Sequence, residues 1–316
     1  MIRGVGGLYE ILLKKGATPL SGTTVFSRAK GNFRIKGISP LVGDLVRVQY
    51  DDTAVARYTA ETPQDSDDGG GVVIAEILTR RNALIRPPMA NLGVLFITFA
   101  AAKPDPVTET VDKLIAIAEH NDIEPVPVIC KRDIAPARAA ELCEIYEKAG
   151  FTAFTVSSLK GEGIDALRTW IAENLGERIA AFSGASGVGK STLLNALYPE
   201  LGLETGEISH KIARGKHTTR RVELYSVGEG YVADTPGFSM LDFVRFDFFT
   251  KEELPFAMRE FGPYIGTCRY TKCTHTKEEG CAILQAVRSG EISPSRHRGF
   301  LAMYEELKNK KEWDKK

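Results

Sequence analysis

The sequence predicts an α/β domain on a parallel sheet, with a small all-β barrel before it and a metal-binding helical region after it. Three observations predict this. Short strand-like runs with turn punctuation fill the first quarter of the chain, apolar runs alternate with helical patterns from Leu92 onward, and three cysteines and a histidine crowd together near the C-terminus. The chain has 316 residues, 43% of them hydrophobic, long enough for two or three domains with proper cores. Formal net charge is +0, so nucleic-acid contact must use local patches. The opening MIRGVGGLYEILLKK lacks a cleavage-site pattern, and no run approaches a membrane span. Five cysteines, three of them crowded between Cys268 and Cys281, suit a reducing cytosol and a metal site better than a disulfide scaffold; separately, a monomer is expected.

Residues 1–79 read as the barrel. Its strands are expected at Leu8–Leu13, Thr23–Phe26, Asn32–Ile35, Asp44–Val48 and Val72–Ile77, and at this size the OB type is the commonest answer. The acidic, glycine-rich stretch 64–71 reads as a mobile loop. Arg28, Lys30, Arg34, Lys36 and Arg47 lie near Phe26 and Phe33, a combination that offers rings to stack bases and cations for phosphates. An ordinary solvated edge explains the same residues equally well.

Arg80 to Pro88 reads as a connector, and residues 80–245 as the α/β domain. Strands are expected at Val94–Phe99, Val126–Cys130, Phe154–Val156 and Ile179–Phe182. Helices are expected at Val107–Glu119, Pro136–Ala149 and Ile164–Leu175. Such alternation means a parallel sheet covered on both faces, with ligands beyond the carboxyl ends of its strands.

The last of those strands runs into Gly184-Ala185-Ser186-Gly187-Val188-Gly189-Lys190-Ser191, then Thr192, which fits G-x-x-x-x-G-K-[ST] at every fixed position. Glycines let backbone N–H groups turn inward on phosphate oxygens; Lys190 supplies charge for the β- and γ-phosphates, and the Ser191 hydroxyl a ligand for Mg²⁺. One hairpin later, Asp234-Thr235-Pro236-Gly237 reads as D-x-x-G, placing Asp234 near the metal and the Gly237 N–H near the γ-phosphate. Thr218 or Thr219 in the preceding loop is the candidate to bind both metal and γ-phosphate. Phe238 stands where many GTPases carry a water-orienting Gln, so intrinsic hydrolysis should be slow. His217 is the alternative for positioning water, or else a phosphate or RNA contact in a basic loop.

Base recognition falls to Cys130-Lys131-Arg132-Asp133, at a strand end where N-K-x-D is required. Asp133 can accept from the two donors on guanine that adenine lacks. Cys130 replaces the usual Asn, predicting weaker binding and some loss of loop bracing. Ser157 and Ser158 follow one helix later, where a loop amide usually meets the guanine O6. These elements precede the phosphate loop, whereas ordinary GTPases run phosphate loop first, so the chain is circularly permuted. The segment after Gly237 then leads straight into the C-terminal region and is expected to pull on it when the γ-phosphate leaves. Gly187 occupies the position where potassium-dependent GTPases place Asn, which argues against that cation.

In residues 246–316, Cys268-x4-Cys273-x-His275-x5-Cys281 is the Cys₃His set of a closed structural zinc site. Ser293-Pro294 opens a helix with Phe300, Met303, Tyr304 and Leu307 on one face, ending in Lys308, Lys310, Lys311, Lys315 and Lys316. That tail reads as a solvated end or a phosphate-binding arm.

Together, PLVGDLVRV, RNALIRPPMAN, the phosphate loop, GKHTTR, DTPGF and the Cys₃His spacing resemble the RsgA (YjeQ/YloQ) family of bacterial circularly permuted GTPases over the whole chain. The resemblance implies an OB-fold, a permuted GTPase domain and a zinc-binding helical domain. It also implies late maturation of the small ribosomal subunit through its rRNA, with hydrolysis stimulated by that subunit and followed by release. Two rivals differ in class: an RNA-binding guanine-nucleotide switch with negligible turnover, and an ATP-driven RNA remodeller, against which Asp133 speaks.

Overall fold

The computed structural model describes residues 1–14, 16, 18–29, 33, 37–59, 71–84, 88–201, 222–234 and 250–308, with the backbone alone at 201 and 234. Of the expected strand at 32–35 only Phe33 is described, and it is helical; the rest of that strand, most of the acidic loop, Lys30, Arg34, Lys36, His217, Thr218, Thr219, Gly237, Phe238 and the lysines beyond 308 lie outside the described residues. The described residues fall into two compact units. One draws on Met1–Leu92, Glu177–Ala181 and the stretch 217–236; the other on Gly93–Gly176, 182–216 and the stretch from 237 onward.

The first unit contains β1 (Arg3–Val5), β2 (Leu8–Leu12), β3 (Thr24–Ala29), β4 (Val46–Tyr50), α1 (Asp52–Tyr58) and β5 (Val72–Ile77). They form the order β1–β2–β3–β5–β4, antiparallel except for the parallel β3–β5 pair. Alternate side chains turn inward around Ile11, Leu20, Val25, Val72 and Ile74, and α1 adds Ala54 and Tyr58. Two elements exceed the sequence reading. β1 is only three residues long, and α1 rests on a local device: the Asp51 carboxylate caps it by accepting from the Ala54 N–H (2.9 Å). The Tyr58 hydroxyl then accepts from the Phe26 N–H (3.0 Å), fastening α1 to β3.

The PLVGD segment is shaped by two residues. A Cβ on Gly43 (φ +91°) would lie 2.1 Å from the Ala90 carbonyl oxygen, so glycine is required there. Buried Asp44 accepts from the Leu41 N–H (2.7 Å) and pairs with Arg80 Nε (2.7 Å). The connector is partly ordered by a short hairpin, β6 (Ala83–Leu84) with β7 (Met89–Ala90). Ile179–Ala181 pair in parallel with β13 (Gly230–Asp234), which pairs antiparallel with β12 (Glu223–Val227), and β12 meets β1 at Glu223↔Arg3.

The second unit is built on β8 (Leu92–Ala100), β9 (Glu124–Cys130) and β10 (Phe154–Thr155), parallel in the order β10–β9–β8. Every residue of β8 is buried, as expected of a parallel strand covered on both faces. The intervening helices α2 (Thr108–His120), α3 (Pro136–Lys148) and α4 (Ile164–Asn174) start and stop within a residue or so of expectation. Phe96 stacks on Phe182 (centroids 4.5 Å apart) and meets Trp170 edge-on (5.8 Å). The two buried phenyl rings contribute roughly 1.5–3 kcal/mol each, and with half-buried Trp170 they fix the strand leading to the phosphate loop.

The C-terminal part of this unit comprises two 3₁₀ turns (Leu254–Ala257, Arg259–Tyr264), α6 (Ala282–Ser289) and α7 (Pro294–Lys308). Phe300, Met303 and Leu307 are buried as expected, but so are Arg296, His297 and Gly299. Arg296 Nη1 donates to Asp112 Oδ1 of α2 (2.6 Å) and its Nε to Glu260 Oε1 (2.7 Å), all three side chains being at most 5% exposed. The Tyr146 hydroxyl donates to the same Asp112 oxygen (3.3 Å), and Lys113 pairs with Glu306 (2.5 Å) further along α7.

Candidate nucleotide site and metal centre

β11 (Ile179–Ser183) delivers the chain to Gly184, the first fixed residue of the phosphate loop. The Thr98 hydroxyl of β8 donates to the Ser183 carbonyl (2.6 Å), and a Cβ on Gly184 would come within 2.2 Å of the Thr98 carbonyl oxygen. The loop is thus pressed against β8 at a point that admits only glycine. Ala185, Ser186 and Gly187 are exposed, and Val188 is buried and anchors the turn. Gly187 (φ +80°) and Gly189 (φ +105°) are left-handed, and no heavy atom lies within 4 Å of where their Cβ atoms would be. That open, backbone-lined cradle fits a phosphate chain.

Helix α5 (Lys190–Leu197) begins at once, with Lys190, Ser191 and Thr192 half-buried in its first turn. Gly189 supplies no side-chain cap, so the positive helix end faces the cradle. Behind it, Arg168 of α4 donates to the carbonyls of Ala196 (2.9 Å) and Leu197 (3.3 Å), capping the far end.

The Cys130–Asp133 turn closes the same end of the sheet. Lys131 is left-handed (φ 60°), and its Nζ donates to the Gly187 carbonyl (2.7 Å) and to the Lys103 carbonyl, bridging the base and phosphate loops. Cys130 is turned inward, 2% exposed, its Sγ lying 3.8 Å from the Val128 carbonyl oxygen. Burial pushes its thiol up to about 12, against a smaller opposing pull from Lys131, so it stays neutral. The buried Ser157 hydroxyl beside Asp133 holds its carboxyl below the ordinary range. Ser158 lies half-buried beside Ser157. Asp234 ends β13 in the other unit, and only its backbone is described.

Cys268, Cys273, His275 and Cys281 bring their donor atoms within 4.8 Å of one another. His275 Nδ1 lies 3.6 Å from both Cys268 Sγ and Cys281 Sγ, and those two sulfurs are 3.9 Å apart. A tetrahedral zinc with Zn–S near 2.3 Å and Zn–N near 2.0 Å sets S···S at about 3.8 Å and S···N at about 3.5 Å, so the donor set is consistent with zinc. Burial lowers the His275 pKa and favours the neutral imidazole that ligation needs. Around it the Glu278 carboxylate accepts from the backbone N–H groups of Thr274 (2.8 Å), Thr276 (3.1 Å) and Lys277 (3.1 Å), and His297 Nε2 sits 2.9 Å from the His275 carbonyl oxygen.

Thr98, Lys103, Arg132 and Glu162 shape the site without having been singled out from sequence. None sits in a recognisable motif position except Arg132, which occupies the variable place of its own.

Residues 77–244 match the family model described as RsgA GTPase, and residues 1–56 the one described as RsgA N-terminal domain. A small ribosomal subunit biogenesis GTPase RsgA of Caldanaerobacter subterraneus is 38% identical over 312 residues, covering 98% of this chain and 95% of the relative. An RsgA 2 of Listeria monocytogenes is 36% identical over 315 residues, covering 98% and 97%. Among solved structures, YloQ, titled a circularly permuted GTPase, superposes with a TM-score of 0.73 at 30% identity over 98% of this chain and 94% of its own. YjeQ from Thermotoga maritima gives 0.73 at 30% over 96% and 99%.

Proposed function

From its place in the RsgA family of GTPases, to which this chain belongs, we propose that it hydrolyses GTP to time its docking on, and departure from, the maturing small ribosomal subunit. The observation that carries this reading is the Lys131 bridge: one side chain ties the loop bearing Asp133 to the glycine cradle. A site so joined holds base and phosphates of one molecule.

Each side chain has a task. Asp133, kept ionised by Ser157, accepts from the guanine donors that adenine lacks, while Ser158 and its loop border the ring. The N–H groups from Gly184 to Thr192 and the Lys190 ammonium bind the phosphates. Ser191, Asp234 and Thr218 or Thr219 would hold Mg²⁺, which when bound neutralises charge on the terminal phosphates. The Gly237 N–H meets the γ-phosphate, and His217 orients water in place of the Gln that Phe238 displaces. Cys268, Cys273, His275 and Cys281 would hold zinc as a structural ion with no open position. Residues 1–79 form the OB domain, 80–245 the permuted GTPase and 246–316 the zinc domain. The first binds rRNA through the basic set Arg28, Lys30, Arg34, Lys36 and Arg47, with Phe26 and Phe33 packed against the barrel core instead of free to stack bases, and the last through its basic end. The protein acts as a monomer in the cytoplasm.

Phosphate release measured with and without small subunits, against GTP and ATP, tests the reading. Strong stimulation with GTP alone is expected. Turnover that small subunits leave unchanged, or equal use of ATP, would overturn it.

A further inference from the structure

Arg132 occupies the variable position of the base-recognition turn, yet both its backbone and its side chain tie it to the neighbouring strand end and loop. Its backbone N–H donates to the Val156 carbonyl (3.1 Å) and its Nη1 to Thr155 Oγ1 (3.3 Å). Its Nε pairs with Glu162 Oε2 at 3.3 Å. Glu162 closes the other side of that loop, its carbonyl accepting from the Ser157 N–H (2.9 Å). The Ser157 hydroxyl stands beside Asp133, holding its carboxyl below the ordinary range, and accepts from the Lys160 N–H (3.3 Å). The loop is tight at its exit as well: a Cβ on Gly163 (φ +73°) would sit 2.3 Å from the Thr155 carbonyl oxygen. Cys130, neutral and directed at its own strand, offers no polar brace to either loop.

We propose that Arg132, acting through Glu162, is a positioning residue of the guanine subsite, holding the 157–162 loop against Asp133 so that both present to one base. The Cys130 side chain braces neither loop, and Arg132, two residues along, carries the polar tie. The inference rests on the guanine reading above and deepens it by naming what sets its selectivity. As an ordinary surface pair, 39% and 45% exposed, the two side chains would add little to stability and nothing to base choice.

Fluorescent GDP and ADP are titrated into the full chain and into Arg132→Gln, Glu162→Gln and the reversed pair Arg132→Glu/Glu162→Arg, with Tm recorded for each. We expect the GDP Kd to rise about three- to tenfold in the single variants, about 0.6–1.4 kcal/mol. The ADP Kd and Tm stay unchanged, so GDP-over-ADP selectivity narrows by the same factor, and the reversed pair restores GDP binding to within about twofold. GDP affinity unchanged in both singles, or no recovery in the reversed pair, overturns the proposal. A native chain that does not prefer GDP to ADP sinks the guanine reading beneath it instead, and the pair with it.

Discussion

Replacing Gly299 of α7 with Ala should destabilise the protein, although by helix propensity alone it should stabilise it. Ala is favoured over Gly inside a helix by about 1 kcal/mol. A Cβ at 299, however, would lie 2.1 Å from Asp112 Oδ2 and 2.9 Å from its Cγ. That carboxylate cannot step aside cheaply, because its other oxygen is held by Arg296 (2.6 Å) and by the Tyr146 hydroxyl (3.3 Å) in a buried setting. Accommodating the methyl by small shifts costs about 1–3 kcal/mol. Rotating Asp112 away from Arg296 strands a buried charge, at about 3–5 kcal/mol. Less the propensity gain, the net loss is about 0–2 kcal/mol by the first route and about 2–4 kcal/mol by the second, a fall in Tm of up to roughly 15 °C for a unit of this size.

Urea and thermal unfolding of Gly299→Ala, Asp112→Ala and the double variant measure this as a cycle. With the Asp112 carboxylate gone, the methyl meets open space, so the glycine replacement should turn neutral or stabilising in that background. A Gly299→Ala protein as stable as the native one, or the same penalty with and without Asp112, would refute the reasoning.

Lys190→Ala should abolish nucleotide-phosphate binding and hydrolysis while leaving Tm within about a degree, since Lys190 is half-buried in the first turn of its helix; calorimetric GDP titration checks it. Cys130→Asn should tighten GDP binding several-fold by adding an amide brace, and an unchanged Kd would discard the idea that the thiol weakens the site. A strong chelator should release about one zinc per chain and lower the melting temperature of the C-terminal segment, with His275→Ala reproducing the loss; metal analysis of purified protein reads both. For pH, burial raises the Asp112 carboxyl from 3.8 to about 6 despite Arg296. The folded state therefore holds that proton more tightly than the unfolded chain, and the stability it contributes, full below about pH 4, is lost as pH rises through 6. Native minus Asp112→Asn unfolding free energy, followed from pH 4 to 7, should fall with pH, and a flat difference would contradict the assignment.

The parts of this fold that follow one rule at a time were legible in the sequence. The parallel strands announced themselves as continuous apolar runs, and the phosphate loop and the Cys₃His spacing as fixed intervals. The strand Val72–Ile77 was placed to the residue. What escaped depends on partners far away in the chain. Helix α1 carries too few residues for a helical period to show, and its existence rests on the Asp51 cap and on Tyr58 reaching Phe26. At the site, the turn carrying Asp133 was legible because it follows a strand end at a motif spacing. Thr98 was not, since a threonine in a buried strand carries no mark of the loop that will press on it. Gly299 and Arg296 looked like an ordinary helix stretch until Asp112, far earlier in the chain, supplied the reason for both.

That same cluster bears on the route from the nucleotide site to the segment carrying Cys268, Cys273, His275 and Cys281. The permuted order suggests that the chain beyond Asp234 relaxes when the γ-phosphate leaves and draws the C-terminal region with it. Arg296 sets a condition on any such movement. Asp112 lies on α2, whose strand neighbours are β8 and β9, and β9 ends in the base-recognition turn. Arg259 adds a second fastening, donating to Glu119 at the other end of α2 (2.6 Å) and to the Gly150 carbonyl (2.6 Å). Sliding α7 past α2 would expose or strand three buried charges, costing several kcal/mol, more than typical allosteric coupling supplies. The segment 250–308 must therefore travel with the base-recognition half as one body. Replacing Arg296 by Met together with Asp112→Leu and Glu260→Leu removes the charges as a set and leaves an apolar contact in their place. If the fastening carries the signal, that triple variant should bind GTP normally yet lose the difference in small-subunit affinity between GTP and GDP. Retention of that difference would show that the signal travels by another route.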